Sequence, residues 1–143
     1  MTTPDGMLTH LFPVPDVVAQ ADLQGLGLTQ RRIDTMRLLA QNIVSGDLVL
    51  DRGADREQTM TQLLALPGVG PWTVSYIAMR ALGDPDAFPA TDLGLRSALA
   101  QHGLPTDSRR VTAYAEAWRP WRSYATIHLW TSLADAQGKQ EKH

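Results

Sequence analysis

The sequence predicts an all-α domain built from short helices. Apolar residues recur at spacings of three and four along nearly the whole chain, the period of one helix face. No stretch alternates apolar and polar residues over a strand length with turn residues on both sides. The segments between periodic stretches are short, about 4–10 residues, as in compact helical folds. At 143 residues the chain is one domain or a large piece of one. Hydrophobic residues make up 43% of it, enough for a packed core and too many for a disordered chain.

The elements follow in order. Met1–Pro15 holds three prolines and reads as a loop-like arm. Thr29–Val44 carries Ile33, Met36, Ala40, Ile43 and Val44 on one face, with Thr29 as N-cap and Gly46 as stop signal. Asp55–Leu66 places Met60, Leu63 and Leu64 on a stripe that ends at Pro67-Gly68. Pro71–Leu82 opens with proline at the first helical position, where the missing N–H costs nothing. Leu93–Gln101 follows Asp92, and Ser108–Trp118 presents Val111, Tyr114, Ala115 and Trp118. Trp121–Leu133 closes the set, leaving residues 134–143 as a polar tail expected to fray. The domain proper is thus predicted over residues 16–133, with no internal repeat and no low-complexity segment.

Composition narrows the chemistry. Cysteine is absent, which excludes disulfides, thiolate zinc sites and cysteine-bound iron–sulfur clusters. The four histidines, His10, His102, His128 and His143, include no pair at helical spacing for a metal. No catalytic cofactor is therefore expected. No run approaches the roughly 20 apolar residues that span a bilayer, and the opening residues lack a secretory pattern. A cytoplasmic protein with no membrane partner is the expectation. Net charge is −2, so a global basic field is missing. Arg109, Arg110, Arg119 and Arg122 read as a solvated helix face, with a local contact surface as the alternative.

The most informative segment is Leu66-Pro67-Gly68-Val69-Gly70-Pro71-Trp72-Thr73. It joins two helices through a turn in which glycine permits positive φ and close backbone approach. The N–H groups of Gly68, Gly70 and the next helix's first turn, including Thr73, then form an anion-binding array suited to a phosphate. Such an array needs no lysine. On the opposite face, the carbonyl oxygens of Leu64, Leu66 and Val69 are candidates for a structural Na+ or K+. The plainer alternative is a helix–helix turn that binds nothing.

Further blocks occur in order after the turn: Pro71-Trp72-Thr73-Val74-Ser75-Tyr76, then Phe88-Pro89-Ala90-Thr91-Asp92-Leu93, then Tyr114-Ala115-Glu116 and Trp118-Arg119-Pro120-Trp121-Arg122-Ser123-Tyr124-Ala125, followed by His128-Leu129-Trp130. The series resembles the HhH-GPD superfamily of helix-hairpin-helix DNA glycosylases. Within it, the series is similar to the DNA-3-methyladenine glycosylase II (AlkA-type) branch over most of Phe12–Leu133. The resemblance implies base-excision repair. The implied enzyme is a hydrolase that cuts the N-glycosidic bond of alkylated purines such as 3-methyladenine in double-stranded DNA, on the nucleoid.

The resemblance also assigns residues. The family's catalytic aspartate lies at the start of the helix after the hairpin helix, a place matched by Asp92, 22 residues beyond Gly70. The plainer reading of Asp92 is an N-cap, and the two are compatible, because a helix N-terminus favours negative charge. Trp72, Tyr76 and Trp130 match positions near the base pocket, where aromatic faces attract a cationic base. Core packing is the alternative for Trp130 and the preferred reading for Trp118 and Trp121. Arg96, four residues after Asp92, is expected to form a helix-surface ion pair with it. Bifunctional relatives carry a lysine where Trp72 stands, and an indole cannot form a Schiff base, so a monofunctional enzyme is implied. Family members are longer, with an N-terminal mixed α/β domain and a residue wedged into the DNA. Met1–Leu28 offers no counterpart, so the chain reads as N-terminally truncated, with a partner chain or dimer expected to cover the missing region. The alternative function is a non-catalytic DNA-binding fragment or subunit of a split glycosylase.

Overall fold

The computed structural model describes residues 10–140, which form seven α-helices and two 3-10 turns, with no β-strand among the described residues. They fall into two compact units. The first comprises the residues up to Val49 together with Ala65–Gly68, and the second comprises Leu50–Leu64 and everything from Val69 onward.

In the first unit, α1 (Pro15–Gln20) packs against α2 (Gln30–Ser45). Val18, Leu23, Ile33, Ala40 and Leu48 are buried there. The guanidinium of Arg37 donates to the Ala21 carbonyl at 3.0 Å, fastening α2 to the end of α1. Gly46 ends α2 in the left-handed conformation, which glycine adopts without a Cβ penalty. Thr29 stands at the N-cap, but its side chain makes no capping bond. The arm inferred over Met1–Pro15 is cut short, because α1 begins at Pro15, whose fixed φ suits a first turn. Residues 1–9 lie outside the described residues.

The second unit contains α3 (Arg56–Ala65), α4 (Pro71–Arg80), α5 (Leu93–Gln101), α6 (Ser108–Ala115) and α7 (Arg122–Gln140). Local chemistry sets the helix starts. Asp55 accepts from the Gln58 N–H at 3.0 Å, and Asp107 accepts from the Arg109 and Arg110 N–H groups, satisfying amides that a helix end leaves unpaired. The core has two buried clusters. One joins Ala78, Met79, Leu82 and Ala87 and is covered by Met60 and Trp130. The other joins Leu95, Leu99 and Val111 under Phe88, Trp118 and Leu129. Burying each large aliphatic side chain contributes about 1.5–3 kcal/mol before entropy is subtracted.

Two further inferred boundaries change. The helix inferred over Ser108–Trp118 tightens to a 3-10 turn at Glu116–Trp118, a common way for a last turn to end. The closing helix does not stop at Leu133 but runs to Gln140. The alanines, glutamines and lysine of that stretch are good helix formers even without an apolar stripe. Residues 141–143 lie outside the described residues. Among the described residues no helix is long and apolar enough to cross a membrane.

Candidate active site

Asp92 caps α5 from an extended backbone conformation, and its Oδ1 accepts the Leu95 N–H at 2.6 Å. The N-cap reading is thus correct. The same carboxylate does more. Oδ1 also accepts the indole N–H of Trp130, on α7, at 2.8 Å. Oδ2 accepts the indole N–H of Trp72, from the first turn of α4, at 2.8 Å. Residues 20 and 38 positions away in sequence therefore converge on one half-buried carboxylate.

Tyr76 completes the cluster. It lies four residues after Trp72 and so shares its helix face. Its ring stacks on Trp72 with centroids 5.5 Å apart and planes 21° from parallel. On the other side it meets Trp130 at 6.0 Å with a 39° tilt. Trp72 stays 42% exposed and Tyr76 38% exposed, so two large aromatic faces reach solvent beside a carboxylate. Trp130 packs its ring on the Ala78–Leu82 cluster, the core alternative considered for it, and its N–H edge bonds Asp92, a contact the sequence did not foresee. Gly94, which sequence reasoning passed over, makes room for that edge. A Cβ there would lie 3.3 Å from Asp92 Oδ1 and 3.5 Å from Trp130 Cδ1 and Nε1. Its signal in the sequence was a glycine inside a helix, where it costs about 1 kcal/mol relative to alanine.

All three donors to Asp92 are neutral N–H groups. Among the described residues no arginine, lysine or histidine forms an ion pair with it. The expected Asp92–Arg96 pair is not formed; Arg96 Nε donates instead to the Thr106 carbonyl, which holds the α5–α6 connection. The negative charge of Asp92 is therefore oriented by dipoles and left without a counter-ion.

The other arginines behave differently. Arg122 grips Asp86 with two parallel bonds, Nε to Oδ1 at 2.7 Å and Nη2 to Oδ2 at 2.8 Å, and reaches Glu116 at 3.3 Å. Arg119 pairs with both Asp86 and Glu116. The bidentate Arg122 bond holds the Asp86 carboxyl below the usual carboxylate range, opposed by burial and aided by the Arg122 and Arg119 charges. The bond from Arg119 lowers Glu116 in the same way and, reciprocally, raises Arg119. Two cations and two anions are thus paired; Arg122, with its side chain 11% exposed, does not stand on the solvated face read from sequence, whereas Arg119 remains 49% exposed. Trp121 is 58% exposed and does not belong to the core as inferred. It sits just ahead of α7, edge-on to Tyr124 at 5.7 Å. Trp118 does pack on the core, edge-on to Phe88.

In the hairpin segment, Gly68 belongs to the first unit and has φ +89°. An added Cβ would lie 2.3 Å from Thr35 Oγ1, so glycine is required there on both grounds. That hydroxyl sits 2.8 Å from both the Arg31 and Pro67 carbonyl oxygens and can donate its one proton to either. Gly70 and Thr73 belong to the second unit, at the N-terminus of α4, where Gly70 is the N-cap without a side-chain capping bond. Because Pro71 has no N–H and the Val74 N–H bonds the Gly70 carbonyl, the first-turn amides without an intrahelical acceptor are those of Gly70, Trp72 and Thr73. Of the three carbonyls considered for a cation, Leu64 lies in the last turn of α3 and, like Val69, in the second unit, whereas Leu66 lies in the first. Among the described residues no group of three or more histidine, aspartate or glutamate side chains is placed to hold a metal ion.

The chain is 53% identical over 128 residues to a Mycobacterium tuberculosis protein named "Probable bifunctional transcriptional activator/DNA repair enzyme AlkA", covering 90% of this chain and 26% of that protein. It is 37% identical over 123 residues to DNA-3-methyladenine glycosylase 2 of Escherichia coli, covering 83% of this chain and 42% of the relative. The chain is homologous to part of the AlkA-type DNA-3-methyladenine glycosylases. It spans less than half the length of these two relatives. The fold agrees: 3-methyladenine DNA-glycosylase from Archaeoglobus fulgidus superposes with a TM-score of 0.76 at 23% identity, over 91% of this chain and 46% of that one. No protein-family model matches the chain.

Proposed function

We propose that this chain carries the catalytic segment of a monofunctional DNA glycosylase for alkylated purines, with Asp92 as the catalytic residue and Trp72, Tyr76 and Trp130 as the walls of the base site. One observation carries the reading. A carboxylate with no counter-ion among the described residues is held by neutral donors beside open aromatic faces, an arrangement complementary to positive charge. Two positive charges meet there in this reaction. A purine methylated at N3 or N7 is cationic, and the sugar becomes oxocarbenium-like as the bond to the base breaks. The target nucleotide must first leave the helical stack. The C1′–N bond then breaks, and the base leaves as a neutral purine with the bonding electrons. A water oxygen bonds to C1′ and its proton passes to solvent. Asp92 stabilises the developing charge beside the sugar.

Double-stranded DNA would be held through its phosphates by the N–H groups of Gly70 and of the start of α4, including Thr73. A helix N-terminus with unpaired amides is a natural anion site. Trp72, having no amine, supports hydrolysis without strand cleavage. The implied place of work is the nucleoid, in the cytoplasm.

The test is a duplex bearing a single alkylated adenine in a labelled strand. The strand is expected to stay intact with protein alone and to break at the lesion only after alkali, which opens abasic sites. A break before alkali, or none after it, contradicts the proposal.

A further inference from the structure

We propose that Trp72 and Trp130 are positioning residues whose indole N–H groups lock the Asp92 carboxylate and reserve one acceptor site, on Oδ2, for the reacting sugar or its water. This rests on the reading of Asp92 as the reacting carboxylate. An ionised carboxylate offers about four lone-pair sites. Oδ1 accepts two donors, the Leu95 N–H and the Trp130 indole. Oδ2 accepts one, the Trp72 indole. Three sites are filled and the fourth lies on Oδ2. The donors come from α4, α5 and α7, so the carboxylate cannot rotate and exchange its oxygens without breaking several bonds at once. Holding a charged group in one orientation before reaction is what preorganised electrostatic catalysis requires.

The same geometry divides the labour of each indole. The N–H lies in the ring plane, so the edge of the ring serves Asp92 and the face remains for another partner. For Trp72 one face is already taken by Tyr76 at ordinary stacking distance, and no base fits between those two rings. The exposed surface of the Trp72–Tyr76 stack is left as the side that meets a cationic base.

The variants Trp72→Phe and Trp130→Phe keep an aromatic ring and delete the donor. The probe is a duplex in which a cationic pyrrolidine replaces one deoxyribose, compared with the same duplex carrying a neutral tetrahydrofuran abasic site. The unsubstituted protein is expected to prefer the cationic duplex, and Asp92→Asn to erase the preference. Each phenylalanine variant is expected to lower it about tenfold or more, the scale of one lost charge-assisted bond. If Asp92→Asn erases the preference while both phenylalanine variants retain it, the positioning role is overturned and the reading of Asp92 stands. If the unsubstituted protein shows no preference, or Asp92→Asn keeps it, the reading of Asp92 fails and takes this proposal with it. Hydrogen exchange at the indole nitrogens guards against a misfolded variant. Two of the four tryptophans should exchange slowly in the unsubstituted protein and quickly in Asp92→Ala. Exchange at all four that ignores Asp92→Ala overturns the clamp.

Discussion

Replacing Arg122 with methionine isolates the bidentate Arg122–Asp86 ion pair while keeping most of the aliphatic stem. The Arg122 side chain is 11% exposed and the Asp86 side chain 19%, between the surface case, worth about 1 kcal/mol at most, and the buried case, where removing one partner costs about 3–5 kcal/mol. Two good bonds to Asp86 and a longer one to Glu116 disappear. Arg119 remains on Asp86 and offsets part of the loss. The expected cost is about 2 kcal/mol, from the range for charged hydrogen bonds, or about 4–8 °C in melting temperature for a chain of this size. Asp86→Asn combined with Arg122→Met should recover part of it, because the carboxylate left without its main partner is no longer present. The pH dependence has a definite sign. The folded Asp86 carboxyl is held below its unfolded value. Its contribution is therefore complete above the unfolded pKa of about 3.9 and is lost as pH falls through the folded one. Urea unfolding followed by circular dichroism should show the gap between the two proteins steady near neutrality and narrowing below about pH 4. A variant as stable as the parent at pH 7, or a gap that widens in acid, would refute this account of the cluster.

Other positions separate packing from conformation. Gly68→Ala combines positive φ with a clash against Thr35 and should cost more than about 2 kcal/mol. Gly70→Ala, with φ −110° and open space around the new Cβ, should stay within about 1 kcal/mol of the parent; equal costs in denaturant melts would contradict the turn geometry. Leu95→Ala in the second core cluster should cost about 2–5 kcal/mol, whereas Trp121→Ala should cost less than about 1 kcal/mol because the ring is largely exposed. Binding to undamaged duplex, by fluorescence titration, should weaken steeply between low and moderate salt, since phosphate contacts release counterions. Tight binding that ignores salt would exclude the phosphate array.

Elements whose start signal sits beside their periodic stretch were legible in sequence. Asp92 ahead of Leu93–Gln101 marked α5 to the residue, and Pro71 marked α4. α1 was not legible, because six residues are less than two turns and show no period. The extension of α7 was hidden by its polarity, since helix propensity survives without an apolar stripe. At the site, the sequence supplied the members Asp92, Trp72, Tyr76 and Trp130 but not their bonds. Indole edges arriving from α4 and α7 onto one carboxylate are products of tertiary packing, and no local spacing encodes them. The same holds for the Asp86–Arg122 pair, 36 residues apart. Arg96 shows the converse failure: i, i+4 spacing permits a pair with Asp92, yet the Thr106 carbonyl took its guanidinium and left the carboxylate without a cation.

The central claim is that the Asp92 charge drives loss of the base. The direct measurement is release of free methylated purine from alkylated duplex DNA under single-turnover conditions, with the parent chain beside Asp92→Asn. The account predicts release by the parent and a loss of at least about a hundredfold in the variant, the scale for removing one electrostatic contact to a transition state. Equal release by the two proteins, or none by the parent, would contradict it.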